Sequence, residues 1–420
     1  MNTILDICKR AKKASRSISL SSMQSRRKVL VTLVDQLFEQ QQRILAANEE
    51  DQHTAARYGL SDAMIERLQL SPSKIELIRT GVEKIASLPD PLERVFDEQT
   101  MPNGLMVQKK SVPLGVVGVI YESRPNVTID VAALCLYSGN AVILRGGKET
   151  LATNTVLVSC VRAALEKAGL PLDAVQFIDD PDRDLVDQLL TMYEYVDMLI
   201  PRGGAALHRY CRENSRIPVI TGGIGICHLF VDESADLQKT LDVITNAKVQ
   251  RPTVCNALDT VLVHNKIAPT FIPLLLERMS RENVVVHVPQ VWMERFGLTS
   301  CATITAVQAG DYDREWLSLD LGVQVVEDVD EAIAFIAEHS TGHSDGILSA
   351  DENNKELFLR EVDSSVVYVN ASTRFTDGAE LGLGAEVAIS TQRLHARGPM
   401  ALQALTTYKW IVRGDYHSRA

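Results

Sequence analysis

The chain has 420 residues, 45% hydrophobic and 23% charged, the balance of an ordinary globular protein with enough apolar surface for a large core. Lys and Arg number 43 against 54 Asp and Glu, and the net charge of −11 argues against nonspecific binding to nucleic acid or an anionic membrane. The longest uncharged stretches, Ile217–Val231 and Phe296–Gly310, have 15 residues each, short of the roughly 20 that a membrane helix needs.

At roughly 100–200 residues per domain, two or three domains are expected. The first residues show no basic stretch followed by an apolar one, so no secretory signal is expected and the cytoplasm is the expected compartment. Residues 1–58 read as long helices; between residues 25 and 38 the apolar positions 30, 33, 34, 37 and 38 share one helical face. Residues 73–88 read similarly. Asn103-Gly104 between short extended runs then signals a hairpin. From Val116 apolar strands alternate with helices. Strands are expected at Val116–Tyr121, Ala141–Leu144, Val175–Ile178, Val196–Ile200 and 217–221, with helices at Asn126–Tyr137, Glu149–Ala168, 182–193 and 205–213 between them. Such alternation implies a parallel sheet covered on both faces. A second α/β unit follows, with helices at 235–250, 268–281 and 329–339 and strands at Ala257–His264, 284–288, 323–326 and Ser365–Val369. The tail Tyr408–Arg413 reads as a lone strand of the kind that pairs between subunits, so a homo-oligomer is expected.

A parallel sheet invites a nucleotide, but the standard phosphate motifs fail. Gly146-Gly147-Lys148-Glu149 lacks the earlier Gly and the following Ser or Thr of a P-loop; Gly223-Ile-Gly225 lacks a third Gly and precedes a strand. Two turns remain, Leu144-Arg-Gly-Gly-Lys148 and Ile200-Pro-Arg-Gly-Gly204. Each sits between a strand and a helix and offers backbone amides and a cation where phosphate binds. Glycine kept purely for turn geometry is the alternative.

The seven cysteines are scattered, with no pair at metal-binding or redox spacing, so no metal is expected and a reducing compartment fits. Cys8, Cys135, Cys160, Cys211 and Cys227 lie among apolar residues. Cys255 stands apart: Pro252 breaks the preceding helix, and Gln250-Arg-Pro-Thr-Val-Cys-Asn-Ala257 is a polar connection between the two α/β units, where clefts and ligand sites concentrate. A nucleophilic thiol must ionise, and nearby Arg251 and Lys248 would favour that; a loop cysteine without chemistry is the alternative.

Several strings together resemble the aldehyde dehydrogenase superfamily, and within it the branch that reduces an amino-acid acyl phosphate. They are Pro113-Leu-Gly-Val-Val-Gly-Val-Ile-Tyr-Glu-Ser-Arg-Pro-Asn126, Ser138–Lys148, Lys248–Ala257, Thr341-Gly-His-Ser-Asp-Gly-Ile347 and Leu394-His-Ala-Arg-Gly-Pro-Met400. Phe335 departs from the pattern, standing where that family has His. The resemblance implies an α/β, aldehyde-dehydrogenase-like fold. It would comprise a Rossmann-type cofactor domain (1–250, with a hairpin near 99–113 in a small oligomerisation element), a second α/β catalytic domain (251–375), and a return to the cofactor domain with the oligomerisation strand (376–420). It implies NADP(H)-dependent reduction of L-glutamyl 5-phosphate to the semialdehyde through a thioacyl on Cys255, with the Cys255 amide and Asn126 as oxyanion donors. Arg145 and Lys148 would meet the cofactor's ribose phosphate, and Gly203 and Gly204 its pyrophosphate. Arg374, Asn370 and Ser372 would meet the substrate. Glutamate 5-kinase is a candidate partner. His343 and His395 lie in family strings without an assigned role.

One residue bears on the chemistry. Hydrolytic aldehyde dehydrogenases carry a Glu that activates water in a string matched here by Ile220-Thr-Gly-Gly223, where the carboxylate is missing. An acyl-phosphate reductase has no use for that base, because it would hydrolyse the intermediate. A hydrolytic dehydrogenase and a nucleotide-binding protein without catalysis are the rival readings; Ile220 argues against the first and the Cys255 string against the second.

Overall fold

The structure is a computed structural model of the chain and describes residues 3–57, 65, 67–222 and 224–419. Gly223, part of two of the strings above, lies outside the described residues. The chain divides into two compact units, the first comprising Met1–Thr221, Gly382–Ala388 and Pro399–Ala420, the second Gly222–Leu381 and Ile389–Gly398.

Helices Ile4–Ser19, Met23–Glu39, Gln41–Arg57 and Pro72–Ser87 open the first unit. Their starts are chemically marked: the hydroxyls of Thr3, Ser22 and Ser71 accept the orphan N–H groups of Asp6, Ser25 and Lys74. Strands β1 (Val95–Thr100) and β2 (Met106–Pro113) then form the expected hairpin, with Gly104 at φ +89° in its turn. The terminal strand Thr406–Arg413 pairs antiparallel with β2, completing a three-stranded sheet. Strands β3 (Val116–Tyr121), β4 (Ala141–Gly146), β5 (Val175–Phe177) and β6 (Met198–Arg202) make a parallel sheet in the order β5-β4-β3-β6. Its one face packs on Ile4, Ile7, Cys8 and Ala11 of the first helix, all buried. Helix Leu151–Ala168 ends at left-handed Gly169, with Pro171 beyond it, as the sequence signals.

The expected strand at 217–221 shrinks to a single bridge between Val219 and Leu199. Pro218 has no N–H for a ladder, although its carbonyl still accepts from Leu199. The helix expected at 182–193 is confined to Asp184–Leu190.

The second unit holds a seven-stranded parallel sheet: β7 (Cys227–Val231), β8 (Leu258–His264), β9 (Val285–Val288), β10 (Ile304–Ala306), β11 (Asp320–Val326), β12 (Ser344–Leu348) and β13 (Val366–Val369), in the order β10-β9-β11-β8-β7-β12-β13. Helices Leu237–Val249 and Ala268–Arg281 share a buried core with this sheet, including Ile244, Phe271, Leu275, Val261 and Val323. The boundary expected at residue 250 therefore moves ahead of β7, because β7 and the helix after it are built into the same sheet and core as β8. Among the described residues no helix is long and apolar enough to cross a membrane.

β12 escaped the sequence reading because Ser344 and Asp345 break its apolar run, yet both are fully buried. Burial of Asp345 is tolerable because four donors satisfy it. The His228 backbone N–H and Nδ1 meet one oxygen at 2.9 Å each, and Ser340 Oγ (2.6 Å) and Ser364 Oγ meet the other.

Candidate active site

In the second unit, helix Leu237–Val249 gives way at Gln250 and Pro252 to a loop that carries Cys255 into β8. Lys248 is fully buried beneath it and donates to the Leu258 carbonyl at 2.9 Å, closing the loop at its base. Burial weakens the hold of Lys248 on its proton, while Asp259 and Asp320 oppose that effect. Of the two cations expected to favour the thiolate, Lys248 is thus a structural tie, whereas Arg251 is exposed.

The Cys255 carbonyl is gripped from β7. A Cβ on Gly225 would lie 1.5 Å from that oxygen, so only glycine permits the approach. The Cys227 thiol donates to the same oxygen at 3.3 Å, and burial pushes its ionisation far up, keeping the proton in place. The β7–β8 register slips at this point, from Cys227↔Leu258 to His228↔Thr260, and the bypassed Asp259 accepts the Cys227 N–H at 3.2 Å. Behind Cys227, a buried chain runs from His343 Nδ1 to Ser344 Oγ (2.8 Å), Thr376 Oγ1 (2.6 Å) and the Tyr368 hydroxyl (2.7 Å). His343 thus acquires a place in the scaffold, whereas His395 is exposed.

Environment separates the cysteines. Burial pushes Cys8 up to about 12 and Cys160 and Cys211 to about 11, and raises Cys135 as well, so these stay protonated at neutral pH. Cys301 is exposed, and Cys255 lies between these extremes, half-buried.

The residues expected to meet the substrate are placed differently from one another. Arg374 lies at the loop: its Nε donates to Gln250 Oε1 at 3.0 Å and its Nη1 to Asn256 Oδ1. Ser372 is buried and its Oγ accepts the Arg374 N–H at 3.3 Å, capping the short turn Thr373–Phe375. Asn370 sits past the carboxyl end of β13, exchanging hydrogen bonds of 2.9 Å with the backbone of Ser349, which follows β12. Cys255 precedes β8, at the sheet's other edge. The structure therefore brings Arg374 to the Cys255 loop, leaves Ser372 as a cap and sends Asn370 elsewhere.

The first unit gathers the remaining candidates at the carboxyl ends of its strands. The order β5-β4-β3-β6 reverses between β3 and β6, and a crevice at such a switch point is where doubly wound sheets take nucleotides. Glu122 and Ser123 follow β3 there, and Gly203 and Gly204 follow β6. A Cβ on Gly204 would meet nothing within 4 Å, and the Gly204 N–H points to Glu122 Oε2 at 3.1 Å. The turn after β4 is less bare than expected. The Glu149 carboxylate accepts both the N–H (2.7 Å) and the hydroxyl (2.9 Å) of Ser123, and it would collide with a Cβ on Gly147. Arg145 is buried, its Nη1 and Nη2 donating at 2.9 Å to the carbonyls of Gly146 and Pro181. It braces the loop after β5, so its hydrogen-bonding fork is already engaged. Lys148 beside it is exposed. Asn126, in the first turn of helix Pro125–Tyr137, donates to Asp130 at 3.0 Å, and burial pushes the Asp130 carboxyl up to about 6. Ile220 is buried, 2% exposed.

Comparison with known proteins agrees with this fold. The model of the aldehyde dehydrogenase family matches residues 2–291. A gamma-glutamyl phosphate reductase of Yersinia enterocolitica is 55% identical over 415 residues, 99% of either chain. The crystal structure of a gamma-glutamyl phosphate reductase from Thermotoga maritima superposes with a TM-score of 0.95 at 41% identity, covering 99% of this chain and 100% of that one. An engineered glycolyl-CoA reductase with bound NADP⁺ shares the fold at 19% identity and a TM-score of 0.71, over 98% of this chain and 97% of its own. The chain belongs to the aldehyde dehydrogenase family of oxidoreductases, which use a nicotinamide cofactor, and it groups there with the gamma-glutamyl phosphate reductases.

Proposed function

We propose that this chain reduces L-glutamyl 5-phosphate to L-glutamate 5-semialdehyde with NADPH, releasing inorganic phosphate, the second step of proline biosynthesis. The observation that carries the substrate is the 55% identity along 99% of both chains to a protein named for that reaction.

The Cys255 sulfur, as thiolate, attacks the acyl carbonyl; the carbon–sulfur bond forms and the bond to the phosphate oxygen breaks, leaving a thioester and free phosphate. Charge developing on the carbonyl oxygen needs a fixed donor, and we assign that part to the Cys255 N–H, whose loop is pinned at its own carbonyl by Gly225 and Cys227. When bound, the cofactor supplies the hydride that reduces the thioester. Collapse of the resulting thiohemiacetal releases the aldehyde and returns the thiolate. Ile220 keeps a water-activating carboxylate out of its buried position, so the thioester persists until it is reduced.

The first unit fits a dinucleotide. Open ground over Gly204 at the β3–β6 switch suits a pyrophosphate, which would take the place of the Glu122 carboxylate on the Gly204 N–H and over Gly203. Exposed Lys148 is the cation we assign to the ribose phosphate of NADPH, with Arg145 holding the adjoining loop in shape. We place the reaction in the cytoplasm, since the cysteines form no disulfide among the described residues. We also propose self-association through the three-stranded sheet, whose terminal strand exposes Tyr408, Trp410 and Val412 by about half.

Cys255→Ala tests the covalent route. Turnover should vanish while NADPH binding, followed by fluorescence, stays at the wild-type level; retained turnover would remove the thioacyl mechanism.

A further inference from the structure

We infer that Arg374 is the positioning and activating residue of the nucleophile: its guanidinium clamps both flanks of the Cys255 loop and holds a fixed positive charge on the residue next to Cys255. The inference rests on the reading of Cys255 as nucleophile and reassigns Arg374 from the substrate's carboxylate.

The clamp is geometric. Gln250 lies five residues before Cys255 and Asn256 directly after it, and Arg374 reaches both, through Nε and Nη1 respectively. The contact is reciprocal. Asn256 Nδ2 donates to the carbonyls of Arg374 (3.3 Å) and Thr376 (3.0 Å), and Thr373 Oγ1 donates to the Asn256 carbonyl (2.7 Å). Five hydrogen bonds thus join the Thr373–Thr376 segment to the two ends of the loop. A planar guanidinium can span two amide oxygens at once; an ammonium on a flexible stem holds one point. With Nε and Nη1 committed in this way, the side chain is a poor match for a bidentate grip on a substrate carboxylate.

The charge follows from the same placement. Burial weakens the guanidinium's hold on its proton, and so does Arg251; Asp377, Cys255 and Cys227 act in the opposite sense, so Arg374 and Cys255 lie within electrostatic range. An arginine stays protonated throughout the working range. By reciprocity, its charge favours the Cys255 thiolate, and ionisation releases only the thiol proton, to solvent. Of the other charged or titratable groups around the loop, exposed Arg251 adds to the positive charge near Arg374 and Asp377 opposes it. Lys248 is spent on the Leu258 carbonyl, Glu315 accepts the Gly225 N–H at 3.0 Å, the buried Cys227 thiol keeps its proton, and His343 is bonded to Ser344.

The test is the pH dependence of iodoacetamide alkylation at Cys255, resolved by peptide mass spectrometry on the full chain, with exposed Cys301 as internal reference. In the native chain Cys255 should react with a midpoint below the roughly 8.5 of a free thiol. Arg374→Gln should raise that midpoint by about one unit and slow Cys255 alkylation at pH 7 about tenfold, leaving Cys301 unchanged. Its kcat should fall with little change in KM for the semialdehyde. Arg374→Lys should restore part of the midpoint but not kcat, because charge returns without the clamp. Gln250→Ala, a milder change should Arg374→Gln fail to fold, should shift the midpoint in the same direction by less. An unmoved midpoint overturns the proposal, and an unmoved midpoint with a raised KM returns Arg374 to the substrate. Failure of the nucleophile reading would show separately, as turnover by Cys255→Ala.

Discussion

In the first unit the candidate ligand residues follow the carboxyl ends of β3, β4 and β6; in the second, Cys255 and the residues packed on its carbonyl lie at the amino ends of β7 and β8, strapped by the Thr373–Thr376 segment that follows β13. The first arrangement is the usual one for a doubly wound sheet, where turns entering helices offer backbone amides to a phosphate. The second serves a different need. A nucleophile has to be held still, and the loop is fixed by a backbone contact only glycine allows, a buried lysine at its base and a strap of side-chain hydrogen bonds from Thr373–Thr376. One edge offers turns with backbone amides; the other is packed and presents an atom.

This contrast makes the second unit the more sensitive to small changes. Gly225→Ala should be the most damaging, because its methyl would overlap the Cys255 carbonyl. Displacing the loop by an ångström should reduce kcat/KM by about a hundredfold, with the far-UV circular dichroism spectrum retained. Asp345→Ala strips the acceptor from His228, Ser340 and Ser364 inside the same sheet. It should cost about 3 kcal/mol in urea unfolding, whereas an exposed Asp changed to Ala should cost almost nothing.

The first unit should respond more gently and through affinity. Glu122→Gln removes a carboxylate from beside the Gly204 N–H, where a pyrophosphate would compete with it. NADPH binding should tighten about threefold to tenfold at low salt, and a weaker Kd would contradict the assignment of that crevice. The smallest effect is one of pH. Burial pushes Asp259 up to about 6 from 3.8, Lys248 opposing it. Between those values the folded carboxyl stays protonated while the unfolded one ionises. The stability this contributes is therefore full below 3.8 and lost as pH rises through about 6. Thermal melts of Asp259→Asn should show a flatter profile across that window than the parent chain.

Much of the architecture was legible because parallel strands buried on both faces leave apolar runs, as at Val116–Tyr121 and Ala141–Leu144. β12 was not, since its buried Ser344 and Asp345 are legal only with partners supplied by β7 and by residues 340 and 364. Cys255 could be singled out from its polar loop and the Pro that precedes it. Which cation serves it could not: Lys248 is near in sequence but turned into the core, while Arg374 stands more than a hundred positions downstream of its partners Gln250 and Asn256. The string Gln250–Asn256 did carry a signal, two amide side chains flanking the thiol, that asks for a bidentate donor. The setting of Arg145 was not legible either, since a cation at a strand end gives no sign in the sequence of the carbonyls it donates to.

The central claim is acyl-phosphate chemistry on Cys255, and the reverse reaction tests it most directly. The chain is given NADP⁺ and glutamate 5-semialdehyde, with and without inorganic phosphate, and NADPH absorbance is followed. NADPH should form at a rate that rises from near zero with phosphate concentration, because phosphate must release the acyl group from sulfur where Ile220 leaves no base for water. Equal rates with and without phosphate would mean that water deacylates the enzyme, and would contradict the account.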